Sequence, residues 1–219
     1  RTPIMVVIGN PPYSVSSSNK GKWILDLIKD YKKNLNEQNI QPLSDDYIKF
    51  IRFAEHFIEK NKSGIVAMIT NNTFLDGIIH RQMRKHLLET FDDIYIIDLH
   101  GNSKKKEKTP DGSKDENVFD IQQGVAISIM IRINEKKEKL GVVRFAELSG
   151  KRENKFINLN KIHIDSIEWQ TLDMIGQNYF FVPKKFLNES DYSEYFKIND
   201  LMPLQACGIV SARDNVLVN

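Results

Sequence analysis

An apolar run, Val6-Val7-Ile8, stops at Gly9, and Asn10-Pro11-Pro12-Tyr13 follows at once. Consecutive β-branched residues pack well on a pleated surface, so the run predicts a buried strand. Neither proline can continue a sheet ladder, so the strand must end at the turn. Asn10 and Tyr13 are therefore held on a stiff turn at a strand's carboxyl end. In open α/β sheets that edge is where ligands bind. The side-chain oxygen of Asn10 and the carbonyl of Pro11 make a pair of hydrogen-bond acceptors. Aimed at the N–H groups of an exocyclic nucleobase amine, such a pair favours a pyramidal nitrogen. The lone pair otherwise delocalised into the ring is then free to react. Pro12 has a fixed φ and no N–H, so it keeps the turn rigid and donates nothing that competes. Tyr13 offers a flat face on which a base can stack. The alternative is an ordinary rigid turn with an Asn cap.

Other residues with chemical potential lie further along. Asn71 and Asn72 leave one expected strand, and Asp98, His100 and Asn102 leave another. Both exits are near the expected cleft, yet polar residues also end strands for turn chemistry alone. Lys104, Lys105, Lys106, Lys108 and Lys114 sit in a stretch almost free of apolar residues, which reads as a flexible loop. It could contact phosphates or simply be solvated. Phe119, within Asn117-Val118-Phe119-Asp120-Ile121, reads by itself as a core aromatic at a strand entrance. No His/Cys cluster has zinc spacing, so no metal site is expected. Cys207 is the only cysteine, which excludes an internal disulfide and fits a reducing cytoplasm.

The elements that position these residues follow from periodicity. Residues 14–22 read as a loop, and 23–31 carry helical spacing through Ile24, Leu27, Ile28 and Tyr31. After a polar stretch, Ser44 is placed to cap a helix with Asp45 and Asp46 in its first turn. Tyr47, Phe50, Ile51, Ala54, Phe57 and Ile58 give that helix one apolar stripe. Residues 65–70 predict a second strand, 75–88 a helix, and 94–99 a third strand. This alternation implies a doubly wound α/β sheet. Residues 125–133 predict a fourth strand with no room for a helix before it, so it can pair antiparallel to the third. Residues 142–145 suggest another strand. Beyond Gly150 the pattern weakens into short apolar pieces, including 162–167, 179–182 and 198–201, which read as the start of a second, irregular domain.

Composition sets outer bounds. A hydrophobic content of 41% and a charged content of 27% fit a globular protein. No apolar stretch reaches the ~18 residues of a membrane span. A net charge of +2 does not by itself mark a nucleic-acid binder, so any such surface must come from local clustering. The chain does not begin with Met and reads as a piece of a longer protein.

Ile8-Gly9-Asn10-Pro11-Pro12-Tyr13 resembles the catalytic motif of amino-group methyltransferases that use S-adenosylmethionine. In this family the Asn form is found mainly in DNA adenine-N6 methyltransferases, and also in enzymes that methylate a protein glutamine. The stretches 46–52, 64–74, 83–85, 91–102 and 117–131 extend the resemblance to one subgroup. That subgroup is the methyltransferase part of single-chain restriction-modification enzymes of type ISP and type IIG. The resemblance implies a Rossmann-like methyltransferase fold, here its C-terminal half, with the sheet ending in an antiparallel hairpin. It implies residues 1–150 as the catalytic half and 151–219 as a linker and the start of a target-recognition domain. It implies Asn10, Pro11, Pro12 and Tyr13 as the catalytic turn, with Tyr13 and Phe119 on either face of an extruded adenine. The cosubstrate would be S-adenosylmethionine, held mostly by residues before Arg1, so the piece alone would be inactive. The partner would be double-stranded DNA, in the cytoplasm and away from membranes, with nuclease or helicase segments in the same parent chain. Cytosine-N4 methylation, a protein-glutamine substrate and a non-catalytic specificity module are the alternatives.

Overall fold

A computed structural model describes residues 3–13, 17–133 and 139–184. Residues 14–16, the piece at 198–201 and Cys207 lie outside the described residues. By contacts, Arg1–Pro183 form one compact unit and Lys184–Asn219 a second.

The strands are β1 (Val6–Gly9), β2 (Gly64–Asn71), β3 (Asp93–Asp98), β4 (Val125–Arg132), β5 (Val142–Glu147) and β6 (Gln170–Leu172). They form a single sheet in the order β1-β2-β4-β3-β5-β6. β1 and β2 run parallel, as do β3 and β5. β4 is antiparallel to β3, as its lack of a preceding helix suggested, and equally antiparallel to β2. It therefore slots between two strands rather than closing an edge, and β5 and β6 carry the sheet further. Lying between neighbours explains its near-continuous apolar run, Val125-Ala126-Ile127-Ser128-Ile129-Met130.

Two helices, α2 (Asp46–Asn61) and α3 (Arg81–Thr90), pack with one face of the sheet, and α1 (Lys22–Leu27) packs against α2. Val66, Met68, Ile94, Ile96, Met130 and Phe145 meet Ile51, Ala54, Ile58, Met83 and Leu87 there. Alternation along the strands sends the other residues to the opposite face. Part of that face is covered by α4 (Arg152–Lys161) and the chain after it, through Leu159, Ile167 and Trp169. Trp169 stands edge-on to Tyr95 of β3 at 5.0 Å. On β1 the same face is bare, with Ile8 78% and Val6 52% exposed.

The helices differ from the periodicity reading at two boundaries and one face. Ser44 is not the cap of α2: it lies in a 3-10 turn and accepts from Lys32, while Asp45 takes the N-cap position. The 75–88 segment begins as two 3-10 turns, and α3 starts only at Arg81. Gly77 between those turns leaves its carbonyl and that of Phe74 to Arg84. Phe50 of α2 is exposed beside Trp23 and Phe53, because the buried side of the helix also holds Lys49, Arg52 and Glu55.

Candidate active site

The Asn-Pro-Pro-Tyr turn leaves the carboxyl end of β1, at the edge of the parallel pair β1-β2. Asn10 is exposed, Pro11 is buried and Tyr13 is half-buried. The single O–H of Tyr13 is shared between Asn10 Oδ1 at 3.1 Å and the Ile69 carbonyl of β2 at 3.3 Å. The ring stands edge-on to Tyr47 of α2, with centroids 6.3 Å apart. Burial pushes the phenol up to about 12, so it remains a neutral donor. The chain that follows is anchored by Lys49, a buried residue whose ammonium donates to Ser17 Oγ at 2.5 Å and to the Asn19 carbonyl at 2.6 Å. A Cβ on Gly9 would meet nothing within 4 Å, so there is open space beside the turn.

Tyr13 and Phe119 both pack against the cluster of Ile97, Leu99, Val118 and Val125. The two aromatics thus pack against one apolar cluster at the carboxyl end of β3 and the start of β4. Phe119 also lines a cleft of about 730 Å³ with Gly101, Asn117, Lys151 and Arg152.

The other strand-exit residues have partners of their own. Asn72 donates to Asp98 Oδ1 at 3.0 Å, and Asn71 Oδ1 caps the backbone N–H of Thr73 at 2.9 Å. His100 sits at φ 52° with Nε2 3.1 Å from Glu147 Oε2. Asn102 Oδ1 accepts from the backbone N–H groups of Lys104 and Lys105, both at 3.1 Å. The lysine loop is consequently held in place: a β-bridge joins Lys108 to Lys114, and Glu107 accepts from the Asn102 N–H at 2.8 Å. Its lysines remain exposed.

Among the described residues, Glu55, Glu59 and His86 lie close enough together to hold a cation. The Arg52 guanidinium already fills that role, 2.9 Å from both Glu59 and Asp30 and 3.4 Å from Glu55. The cluster is an ion-pair network joining α2 and α3 to the turn after α1.

Sequence reasoning missed three structural cations, of which Lys49 and Lys155 are buried and Arg152 is partly exposed. Lys49, Arg152 and Lys155 act on backbone carbonyls and small polar groups distant in the chain. The one available signal is helical spacing, which sets Arg152 and Lys155 three residues apart on one side of α4.

This sheet, with an antiparallel strand inserted beside a parallel pair and a polar turn at the strand ends, has the arrangement of the Rossmann-like methyltransferase fold. Residues 5–105 match the family model of the Eco57I restriction-modification methylase. A curated relative is the type II methyltransferase M.BstVI of Geobacillus stearothermophilus, 30% identical over 98 residues, which span 44% of this chain and 16% of that protein. Among solved structures, the ATP-dependent type ISP restriction-modification enzyme LlaBIII bound to DNA aligns over 84% of this chain, with 28% identity and a TM-score of 0.71. The DrdV–DNA complex aligns over 81%, with 26% identity and a TM-score of 0.68. The chain covers only 13% and 18% of those two proteins. It has the Rossmann-like methyltransferase fold and resembles a piece of the methyltransferase domain of restriction-modification enzymes. No helix among the described residues is long and apolar enough to cross a membrane.

Proposed function

We propose that this chain is the catalytic C-terminal half of a DNA adenine-N6 methyltransferase domain within a restriction-modification enzyme. The observation that carries the reading is the Asn10–Tyr13 turn at the end of β1, on the same apolar patch as Phe119.

Asn10 Oδ1 and the Pro11 carbonyl accept the two N–H groups of the target amine and orient its lone pair. The base is extruded from the duplex, because its amino group cannot reach a closed site while stacked. The ring lies between Tyr13 and Phe119, where each base–aromatic stack contributes about 1–3 kcal/mol. S-adenosylmethionine, when bound, supplies an electrophilic methyl group on its sulfonium. The open space at Gly9 is compatible with a cosubstrate next to the turn. The described residues contain no Gly-rich strand-to-helix turn, so most of that site belongs to chain outside them. Residues 1–150 form the catalytic half, and 151–219 lead toward a target-recognition domain. Double-stranded DNA is the partner, and the protein works in the cytoplasm. Nuclease and ATP-dependent segments in the same parent chain would parallel the type ISP relatives.

The test is methyl transfer from labelled S-adenosylmethionine to duplex DNA by the full-length protein, with nucleoside analysis. N6-methyladenine that disappears in Asn10→Ala is the expected result. N4-methylcytosine would change the base, label on protein glutamine would replace the substrate class, and activity intact in Asn10→Ala would remove the catalytic turn.

A further inference from the structure

Phe119 is held through its backbone on both sides. Its N–H donates to Asn117 Oδ1 at 2.8 Å, and its carbonyl accepts from Arg152 Nη2 at 3.0 Å. Arg152 Nε donates to the Asn117 carbonyl at 2.7 Å, and Nη2 pairs with Asp120 Oδ1 at 2.7 Å. One guanidinium therefore spans the loop from Asn117 to Asp120. Three residues on, and so on the same side of α4, Lys155 is fully buried. Its ammonium donates to the Leu99 carbonyl at 2.7 Å, and to Asp115 Oδ1 and the Glu116 carbonyl at 2.6 Å each. Burying a cation is costly unless every N–H is answered, and here three acceptors answer three donors. Lys155 thus ties the exit of β3 to the approach of Phe119, and Arg152 ties down Phe119 itself.

We propose that Arg152 and Lys155 are positioning residues for the stacked base: α4 presets the Phe119 loop, and methyl transfer depends on that preset. The proposal rests on the reading of Phe119 as a base-contacting ring. A ring fixed before the base arrives has no ordering cost left to meet on binding, which is what a preorganised site gains from its supporting shell.

The experiment is a double-mutant cycle in the full-length protein, read as single-turnover methyl transfer to plasmid DNA. The Arg152 side chain is 37% exposed, so Arg152→Gln leaves the core intact. If Arg152 acts through Phe119, Arg152→Gln and Phe119→Ala each slow transfer about tenfold, and the double variant is within about twofold of Phe119→Ala alone. Arg152→Lys, which keeps the charge and loses the fork, is the second variant should Arg152→Gln lower the unfolding midpoint; the same cycle is read. Wild-type rates in the Arg152 variant, or losses that multiply in the double variant, overturn the positioning role alone. A wild-type protein that methylates no DNA overturns the functional reading, and this proposal with it.

Discussion

The hydroxyl of Tyr13 donates to Asn10 Oδ1 at 3.1 Å, so the motif's two polar side chains are coupled before any substrate arrives. The bond fixes which way the Asn10 amide faces. An amide oxygen has two lone pairs, so one remains for an incoming N–H. Tyr13→Phe keeps the ring and removes the O–H that Asn10 Oδ1 and the Ile69 carbonyl share. At about 0.5–1.5 kcal/mol for a bond of this kind, we expect methyl transfer to fall severalfold. Tyr13→Ala, which also removes the stacking surface, should fall well below it, and Asn10→Ala should reach background. Steady-state transfer of labelled methyl groups orders the three variants; equal losses in Tyr13→Phe and Tyr13→Ala would show that the ring face is unused.

Gly101 has φ +81°, and a Cβ there would sit 2.4 Å from Cα of Asn117. Gly112 has φ +85°, and a Cβ there would meet nothing within 4 Å. The pair separates backbone strain from collision. Gly112→Ala should lose only the left-handed penalty of about 1–2 kcal/mol. Gly101→Ala should lose more and should also impair methyl transfer, because Asn117 and the loop behind it must move. Unfolding by denaturant, alongside activity, checks both; equal destabilisation would mean that the loop yields freely.

Lys155 and Asp115 form an ion pair with side chains only 0% and 1% exposed. Removing one partner strands the other charge in the core. Lys155→Met should therefore destabilise by about 3–5 kcal/mol, the range for a broken buried pair. Asp26→Asn, at a solvent-exposed i,i+3 pair with Lys29, should barely register. Urea midpoints for the two variants give the comparison.

Two histidines give opposite pH dependences. Burial disfavours the charged form of His86, but its hydrogen bond to Glu55 and the Glu55 charge outweigh that and raise its pKa. Its stabilising contribution is complete below the ordinary value of 6.5 and is lost as pH rises through the raised folded value. His80 is pushed down to about 4, by burial first and by the Arg84 charge second. Its contribution is complete above 6.5 and is lost as pH falls from there toward 4. Stability should peak near pH 6.5. His86→Gln should flatten the alkaline side and leave the acid side in place. Thermal midpoints across pH 5–9 check the shape, and a curve unchanged by His86→Gln would remove His86 from the account.

Five of the six strands were readable, because runs such as Ile65-Val66-Ala67-Met68-Ile69 are apolar and short; β6 was missed, and β1, read as buried, is an exposed edge. The strand order was not readable. β4 finds its place between β2 and β3 through pairings 28 or more residues away, and no local pattern encodes that. The late start of α3 was hidden because Ile79, Met83 and Leu87 keep helical spacing across the 3-10 turn. The turn of Asn10 and Tyr13 was visible because proline leaves the backbone so few choices. Arg152 and Lys155 stayed invisible because their targets are carbonyl groups, which every residue carries.

The bare outer side of β1 has a practical consequence. Among the described residues β1 is paired on one side only, so its other edge, with the exposed Val6 and Ile8, forms a ready template for another strand. Produced alone, these residues should self-associate in a concentration-dependent way, and a charged residue in place of Ile8 should suppress the aggregates while leaving the helices of the opposite face intact.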